Sequence, residues 1–364
     1  MLDALLRAHG DRVRDVATGS GGHPVPDDAS VEAGRRALAV ADAARARGEW
    51  LVVLLSGGAS AMLEVPADGL TIDDLASTTR LLLSSGLPIA RMNAVRKHVS
   101  TVKGGLIGAR AERAVTYALS DVHAPVEDDP SVIGSGPTVA DGSTFQDALD
   151  ALAEARLAEH VPRAVREWLI AGARGAHPET PKPGDPRLAA SRFVVAGNRR
   201  TVIEAAAVEA KRRGYPVTTI AAPIVGEARD AAVSFVQYAA GGARPAAIVG
   251  GGETTVTLPA KGAPPGGRNQ EFALAAAHAL VPLAPAVLLS AGTDGIDGRT
   301  DAAGGFADDT TVRRAAHAGL DLRSALAEHA SYGALARLDD LLITGPTGTN
   351  LGDVQVLLLG NSVP

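Results

Sequence analysis

Short apolar runs that end in glycine or a polar side chain alternate with helical segments along the whole chain. Trp50 to Leu55 and Ala114 to Leu119 have the continuous apolar character of buried parallel strands. Between them, Thr71 and Asp74 have the spacing of a capping box, which predicts the start of a helix that stops at Gly86. This alternation favours an α/β fold with helices on both faces of the sheets.

The second half of the chain repeats the pattern. Strands are predicted at Phe193 to Ala196, Val217 to Ala221 and Ala246 to Val249, with antiparallel additions near Thr254 to Leu258 and Val354 to Leu359. Helices are predicted at Met1 to Arg14, Thr144 to Glu159, Pro162 to Ile170, Thr201 to Arg213 and Ala228 to Ala240. The sequence therefore predicts α/β structure in both halves.

A chain of 364 residues exceeds what one hydrophobic core usually organises. The segment from Gly172 to Pro186 is rich in proline and glycine and is predicted to be a linker. We expect two three-layer α/β domains, residues 1–186 with a Rossmann-like parallel sheet and residues 187–364 with a mixed sheet.

Composition excludes several classes of protein. The net charge of -6 and the lack of a basic stripe argue against a nucleic-acid partner. With no cysteine, disulfides and thiolate metal sites are excluded, and a cytoplasmic location is expected. No apolar run is long enough to span a membrane. The expected partners are small molecules, bound by a monomer or a homodimer.

The first candidate site is the turn that follows the strand at Trp50 to Leu55. Ser56, Gly57, Gly58 and Ser60 could surround an anion with backbone N–H groups at a helix start. The alternative is that the glycines only permit a tight turn. The turn fits neither the Walker pattern nor GxGxxG.

The second candidate site combines a glycine-rich strand end with the start of an apolar helix. Its members are glycines, hydroxyls, a carboxylate and a guanidinium: Gly250, Gly251, Gly252, Glu253, Thr254, Thr255, Gly267, Arg268, Asn269, Gln270 and Glu271. This combination is suited to holding a phosphate together with a divalent cation.

A window of basic residues forms the third candidate. Asn93 is followed by Arg96, Lys97, His98 and Lys103, with Arg96 and Lys103 on one predicted helical face. Such a window is usually a solvated helix face, and anion binding is the alternative. His98 alone is predicted to be a packed or surface histidine.

Aspartates after predicted strands are the candidate metal ligands. Asp121 could hold Mg²⁺ or orient a hydroxyl. Asp294, Asp297 and Asp301 resemble a cation loop but lack EF-hand spacing, so aspartate bonds to the loop backbone are an equal alternative. Gly345 to Asp353 combines turn glycines with polar side chains.

Taken in order, these motifs resemble those of type 2 glycerate kinases, whose C-terminal part is called the MOFRL domain. The series comprises Ser56 to Ser60, Asn93 to Gly105, Ser120 to Asp141, Gly250 to Glu271, Ser290 to Gly305 and Thr344 to Asp353. The resemblance starts near Gly22 and implies a MOFRL region at about residues 245–360. It also implies two α/β domains with the active site in the cleft between them.

The resemblance implies transfer of the γ-phosphoryl group of ATP to the 2-hydroxyl of D-glycerate, with Mg²⁺. Lys97, Asp121 and Arg268 would then be catalytic, and Asp121 and Asp294 would hold the metal. Phosphate contacts would come from Ser56, Gly57, Gly58, Ser60, Gly251, Gly252, Glu253 and Thr254. Substrate contacts would come from Asn93, Arg96, Asn269 and Gln270.

Three positions depart from the family pattern. A Gly-Lys-Ala segment that supplies an active-site lysine has no counterpart before Gly22, so the first domain is expected to be truncated at its start. Ala59 replaces a glycine, and Gly352 replaces a polar residue before Asp353. A weakly active or non-catalytic binding or oligomerisation module is therefore the alternative function.

Two further enzyme classes are less consistent with the sequence. A hydroxypyruvate reductase, a name often attached to the family, would need a dinucleotide motif that the chain lacks. A serine hydrolase would need a complete nucleophile elbow, but Met62 stands where Gly58 to Ala61 should be followed by glycine.

Overall fold

A computed structural model of the protein describes residues 21–123, 125–259 and 262–361. These residues form two compact units, the first containing residues 21–122 and 126–196 and the second containing 123, 125 and 197–361. The helix predicted at Met1 to Arg14 lies outside the described residues. No helix in the described part of the chain is long and apolar enough to cross a bilayer.

The first unit contains a three-stranded sheet and seven helices among its described residues. The strands are β1 (Leu51–Leu55), β2 (Ala114–Leu119) and β3 (Arg192–Gly197), in the order β1-β2-β3 with β1 parallel to β2. The helices are α1 (Asp28–Arg47), α2 (Ala59–Met62), α3 (Ile72–Ser84), α4 (Ile89–His98), α5 (Leu106–Ala111), α6 (Phe145–Glu154) and α7 (Arg163–Ala173).

The apolar faces of four helices make the larger core of this unit. Leu82 of α3, Val95 of α4, Phe145 of α6 and Leu169 of α7 belong to one buried cluster. Capping boxes fix where two of these helices begin, since Thr71 and Thr144 each exchange hydrogen bonds with an aspartate three residues later. The predicted capping box and the two strands β1 and β2 are confirmed.

Three predictions in this unit need correction. Helix α6 ends at Glu154, before the predicted Glu159, because Arg156 adopts a left-handed φ of 58°. The predicted linker is a packed segment, in which Thr180 is buried and donates to Asp141 at 2.9 Å. The units divide after Ala196 instead of after residue 186, because β3 joins the first sheet.

The second unit contains a seven-stranded mixed sheet. Its strands are β4 (Val217–Thr219), β5 (Ile224–Glu227), β6 (Ala246–Thr255), β7 (Ala286–Gly292), β8 (Gly304–Asp308), β9 (Leu341–Leu342) and β10 (Asp353–Leu359). The order is β4-β6-β10-β7-β8-β9, with β5 pairing with β6. Strands β4 and β5 are parallel to β6, whereas β10 is antiparallel to both β6 and β7, as predicted for the C-terminal strand.

Helices cover this sheet and bury a second core. They are α8 (Arg199–Arg212), α9 (Ala228–Ala239), α10 (Arg268–Leu280), α11 (Thr311–His317), α12 (Leu322–Ala327) and α13 (Ser331–Leu338). Helix α10 is buried on all sides over most of its length and contacts α9, β7 and β8. An apolar helix of this kind belongs to the interior and not to the surface. It also holds Arg268, Asn269 and Gln270 in place at its first turn.

Strand β6 is longer than predicted. It continues through the three glycines to Thr255 instead of ending at Val249, and Thr254 to Leu258 is not a separate strand. Gly252 pairs with Asp353 of β10 on one side and with Ile224 of β5 on the other. A Cβ at Gly252 would overlap the Ile224 backbone, so close approach of β5 requires this glycine.

We therefore expect Gly252→Ala to destabilise the second unit by about 1–3 kcal/mol, because β5 must move to accommodate the methyl group. Urea denaturation measures the change. Gly333→Ala is the matched control: Gly333 lies in α13, and an added Cβ meets nothing within 4 Å. That variant should gain about 0.5–1 kcal/mol from helix propensity. Equal stabilities of the two variants would contradict this account of β6.

Candidate functional site

The N-terminus of α10 is capped by a side chain from a distant loop. Gly267 precedes the helix and has no side chain with which to cap it. Instead, Asp297 accepts from the backbone N–H of Asn269 at 3.2 Å and of Gln270 at 2.9 Å. A Cβ at Gly267 would overlap the Asp297 carboxylate, so the glycine makes room for this cap.

Arg268 projects from the same turn into a pair of carboxylates. Its Nε and Nη2 bind Asp353 Oδ2 and Oδ1 at 2.7 and 2.9 Å, a bidentate pair in which the Asp353 side chain is 0% exposed. Its Nη1 lies 3.0 Å from Glu253 Oε1, and that glutamate side chain is 45% exposed. Arg268 therefore has one buried and one exposed counter-ion.

Buried amides and hydroxyls complete this cluster. Asn269 Nδ2 donates to Asp353 Oδ1 at 2.9 Å, and Ser290 Oγ donates to Asn269 Oδ1 at 2.7 Å. Gln355 Nε2 donates to Ser290 Oγ at 3.2 Å. The sheet register explains the convergence, because Gln355 of β10 pairs with Ser290 of β7. We call Glu253, Arg268, Asn269, Asp297 and Asp353 the arginine–carboxylate cluster.

Burial shifts the proton affinities in the arginine–carboxylate cluster. Desolvation raises the pKa of Asp297 to about 6, partly offset by the N–H groups of Gln270 and Asn269. Burial by itself would lower the pKa of Arg268, but hydrogen bonds and charge from Asp353 outweigh it, so the pKa rises. A carboxyl group that titrates near neutrality beside an arginine is typical of functional sites.

Three buried acceptor atoms near this cluster have no hydrogen-bond partner among the described residues. They are Thr254 Oγ1, Gln270 Oε1 and Gln355 Oε1. The Gln270 amide nitrogen is occupied, since it donates to Thr300 Oγ1 at 2.8 Å. Unsatisfied buried polar atoms are uncommon in folded proteins and favour a functional role for this region.

In the first unit, the predicted catalytic lysine is a buried ion-pair partner. Lys97 Nζ lies 3.1 Å from Asp141 Oδ1, with the two side chains 6% and 1% exposed. Asp141 also accepts from Ser143 and Thr180. Burial alone would raise the pKa of Asp141, but Lys97 and these donors lower it overall. The interpretation of this window as a solvated helix face is therefore wrong.

Lys103 is buried as well, in a separate ion pair. Helix α4 ends at His98, so Lys103 and Arg96 do not share a helical face as predicted. Lys103 Nζ lies 2.7 Å from Glu64 Oε2, and Ser100 Oγ donates to Glu64 Oε1 at 2.5 Å. Burial lowers the pKa of both Arg96 and Lys103, against the opposing charge of Glu64.

The turn after β1 has the conformation of a tight strand-to-helix connection. Gly58 has a left-handed φ of 81° and precedes α2, which is a single turn beginning at Ala59. Ser56 is exposed, whereas Ser60 Oγ lies 2.7 Å from Ser135 Oγ. Ser135 in turn donates to Asn93 Oδ1 at 3.0 Å. The phosphate role of Ser56, Gly57, Gly58 and Ser60 stays a prediction.

Contacts show how His98 and Asp294 are held, and the metal roles of Asp121 and Asp294 stay predictions. His98 is packed, with Nδ1 2.7 Å from Ala94 O and Nε2 2.9 Å from Glu179 Oε2. Asp294 accepts from the backbone N–H of Ile296 at 3.1 Å, as expected for a loop stabilised by aspartate bonds. No group of three or more His, Cys, Asp or Glu side chains within the described ranges could hold a metal ion. Asp121 follows β2 as predicted.

Three residues of these clusters lie inside predicted motifs without a site role of their own. Asp141, Asp353 and Ser290 each contact a predicted residue across the fold. Asp353 is the carboxylate of the candidate segment Gly345 to Asp353, but neither its pairing with Arg268 nor that of Asp141 with Lys97 has a local sequence signal. The departure at Gly352 also has a reason: its φ is 82°, and a Cβ would meet the Gly252 carbonyl at 2.8 Å.

Comparisons with known proteins match two family models to this chain. Residues 5–170 match a family model described as a domain of unknown function, DUF4147, and residues 246–353 match the MOFRL family. A protein of Pyrococcus horikoshii named glycerate 2-kinase is 40% identical over 359 residues, covering 96% of this chain and 80% of that protein.

Two further relatives carry different names. An Agrobacterium vitis protein named putative hydroxypyruvate reductase is 41% identical, covering 93% of this chain and 86% of that protein. A solved structure described as a glycerate kinase of Thermotoga maritima has a TM-score of 0.82 and 37% identity, covering 93% of this chain and 80% of that chain. The mixed α/β fold is shared along nearly the whole chain.

The raised pKa of Asp297 gives a pH dependence of stability. An acid whose folded pKa exceeds its unfolded pKa stabilises the fold below the unfolded value, and this contribution is lost as pH rises through the folded value. Between pH 4 and about 6, the protein should lose on the order of 1–3 kcal/mol of unfolding free energy that Asp297→Asn does not lose.

Urea denaturation at several pH values measures this difference. The exposed substitution Glu167→Gln serves as the control for removal of one carboxylate. A difference between the parent protein and Asp297→Asn that stays constant from pH 4 to 6 would show that Asp297 is ionised throughout.

Proposed function

The chain belongs to the glycerate kinase family, and from this membership we propose that it transfers the γ-phosphoryl group of ATP to the 2-hydroxyl of D-glycerate. The product is 2-phosphoglycerate. The observation that carries the proposal is the similarity, along nearly the whole chain, to a relative named for the 2-kinase. The absence of cysteine is consistent with a reducing cytoplasm as its location.

The arginine–carboxylate cluster has the chemistry that phosphoryl transfer requires. Such reactions depend on positioning and on neutralising the negative charge that develops on oxygen. Arg268 is held by the buried Asp353, so its guanidinium has a fixed orientation before any ligand arrives. We assign Arg268 to binding an anionic oxygen of substrate or nucleotide, with Glu253 and Thr254 beside it.

The basic window of the first unit supplies a second set of proposed roles. Lys97 is held by Asp141, and we assign its ammonium group to a phosphate or carboxylate oxygen. Asn93, four residues earlier on the same helix, is assigned to the substrate. Arg96 is assigned to the substrate as well. Burial lowers its pKa, so an anionic partner would stabilise its charged form.

Mg²⁺ fits the donor set under the same proposal. Bound Mg²⁺ would supply neutralisation of phosphate charge, and proteins usually hold this ion through one or two carboxylates together with the substrate phosphates. A cluster of three protein ligands is therefore not required. Asp121, which follows β2 in the first unit, and Asp294, which follows β7 in the second, are each assigned a metal-binding role from the resemblance.

A specific observation supports a second candidate function. The two cations predicted to be catalytic, Lys97 and Arg268, already have buried carboxylate partners. A homologue that binds ligands without turnover would tolerate such neutralisation better than a kinase. Stabilisation by ligand without product formation distinguishes this module from an enzyme.

Purified protein with ATP, Mg²⁺ and D-glycerate should form 2-phosphoglycerate, because the proposed acceptor is the 2-hydroxyl. Phosphorus NMR identifies the isomer, and a coupled enolase assay confirms it, since enolase accepts the 2-phosphate directly. Chelation of the metal should abolish product formation. Oxidation of NADH by hydroxypyruvate without any phosphoglycerate would support the reductase instead. Ligand-induced stabilisation with neither product would support the non-catalytic module.

The pair Lys97–Asp141 allows a catalytic role to be separated from a structural one. Lys97→Met alone leaves a buried carboxylate unpaired and should cost about 3–5 kcal/mol of stability. Lys97→Met with Asp141→Asn removes both charges, so stability should largely return. We expect the double variant to keep kcat/KM lowered by about 10²–10³, because the phosphate-neutralising cation is absent.

The matched control removes an exposed ion pair. Arg163→Gln with Glu167→Gln also removes one positive and one negative charge, but at the surface of α7, and should leave kcat/KM unchanged. If the Lys97→Met/Asp141→Asn variant recovers parental kcat/KM together with stability, the lysine has only a structural role.

A further inference from the structure

An unusual turn lies between β2 and α6. Three consecutive residues, Gly134, Ser135 and Gly136, have left-handed φ angles of 58°, 59° and 61°. Glycine adopts this conformation freely, whereas any residue with a Cβ is strained there. Serine at the central position therefore carries a conformational cost that glycine would avoid. Strained residues of this kind persist where the side chain or the geometry serves a function.

The Ser135 side chain connects two residues that the sequence assigns to ligand binding. Its hydroxyl is fully buried and donates to Asn93 Oδ1 at 3.0 Å. Ser60 Oγ lies 2.7 Å from Ser135 Oγ. Because Ser135 has one proton and gives it to Asn93, Ser60 is the donor in the second bond. The three side chains form a chain of hydrogen bonds directed from Ser60 towards Asn93.

The Asn93 amide lies with Oδ1 facing the Ser135 hydroxyl. Since Oδ1 accepts from Ser135, Nδ2 points the other way and presents its two N–H groups. Asn93 is 2% exposed, and Nδ2 has no hydrogen-bond partner among the residues that the structure describes. A buried donor of this kind is suited to an acceptor oxygen brought by a ligand. Its burial means that binding entails a local rearrangement around Asn93.

We infer that Ser135 is a positioning residue for the hydroxy acid: it accepts strain so that its hydroxyl can orient Asn93 towards a substrate oxygen. The inference rests on the proposed kinase function and names a specificity-determining contact within it. The ligand group is an acceptor oxygen of the small acid, its carboxylate or hydroxyl. The nucleotide is not expected to depend on Ser135, because Ser60, which the resemblance assigns to phosphate, keeps its own hydroxyl when Ser135 is changed.

Two substitutions at Ser135 separate the hydroxyl from the strain. Ser135→Ala removes the hydroxyl and keeps the left-handed strain, whereas Ser135→Gly removes both. Both should raise KM for D-glycerate by about fivefold to tenfold, as expected for loss of one hydrogen bond. Ser135→Gly should have a Tm about 2–4 °C above that of Ser135→Ala, because the two variants lose the same hydrogen bonds and only the glycine is free of the left-handed strain. KM for ATP should stay unchanged in both.

Arg156→Gly is the matched control for the backbone effect. Arg156 has a left-handed φ of 58° after α6, so this variant should raise Tm by a similar amount and leave KM for both substrates unchanged. Asn93→Ala tests whether Ser135 acts through the amide. In that background, Ser135→Ala should change KM for D-glycerate by less than twofold, because coupled residues have non-additive effects.

The outcomes distinguish this inference from the proposed function. If the parent protein forms no phosphoglycerate, the kinase proposal fails and the inference fails with it. If the parent protein is active but Ser135→Ala leaves KM for D-glycerate unchanged, or raises KM for ATP instead, only the inference is overturned. Fully additive effects of Asn93→Ala and Ser135→Ala would also overturn it.

Discussion

The buried carboxylate of Asp353 is the contact on which the second unit depends. It lies at the first position of β10, and it binds both Arg268 and Asn269 at the start of α10. A buried carboxylate needs partners of this kind, because an unpaired charge in the interior is very costly. The same contact therefore fixes the position of a strand, a helix and the guanidinium group that is proposed to bind an anionic oxygen.

Each unit contains a buried ion pair of the same kind. In each one, a cation from the first or last turn of a helix is paired with an aspartate that is almost fully buried: Lys97 with Asp141, and Arg268 with Asp353. Such pairs contribute little net stability compared with apolar packing, but they hold a charged group in a defined direction. Fixed charges that need not reorganise are what phosphoryl transfer requires from a protein.

The alternation of apolar runs and helices was sufficient to predict the α/β class, most strands and the capping box at Thr71. It could not predict that β6 continues through Gly250, Gly251 and Gly252, because glycine usually marks a turn. A Cβ at Gly250 or Gly252 would meet Ile224 of β5, and one at Gly251 would meet the Asp353 carbonyl of β10, so these glycines reflect close approaches within the assembled sheet.

The candidate site was predicted by residue type but not by pairing. The basic window around Lys97 has the composition of a solvated surface, and only burial against Asp141 reveals otherwise. Asp297 caps a helix that begins almost thirty positions earlier, a contact without any local sequence signal. Its proximity to Arg268 and Asp353 exists only because the loop folds back onto α10.

Strand β10 lies between β6 and β7, although it follows both along the chain. During synthesis on the ribosome, the two flanking strands therefore emerge before the segment that joins them. Until that segment is released, β6 and β7 each expose an unpaired edge, which is a template for aggregation. We therefore expect the nascent protein to be prone to aggregation until β10 pairs with both strands. Asp353, which holds the Arg268 guanidinium, is added with that same strand.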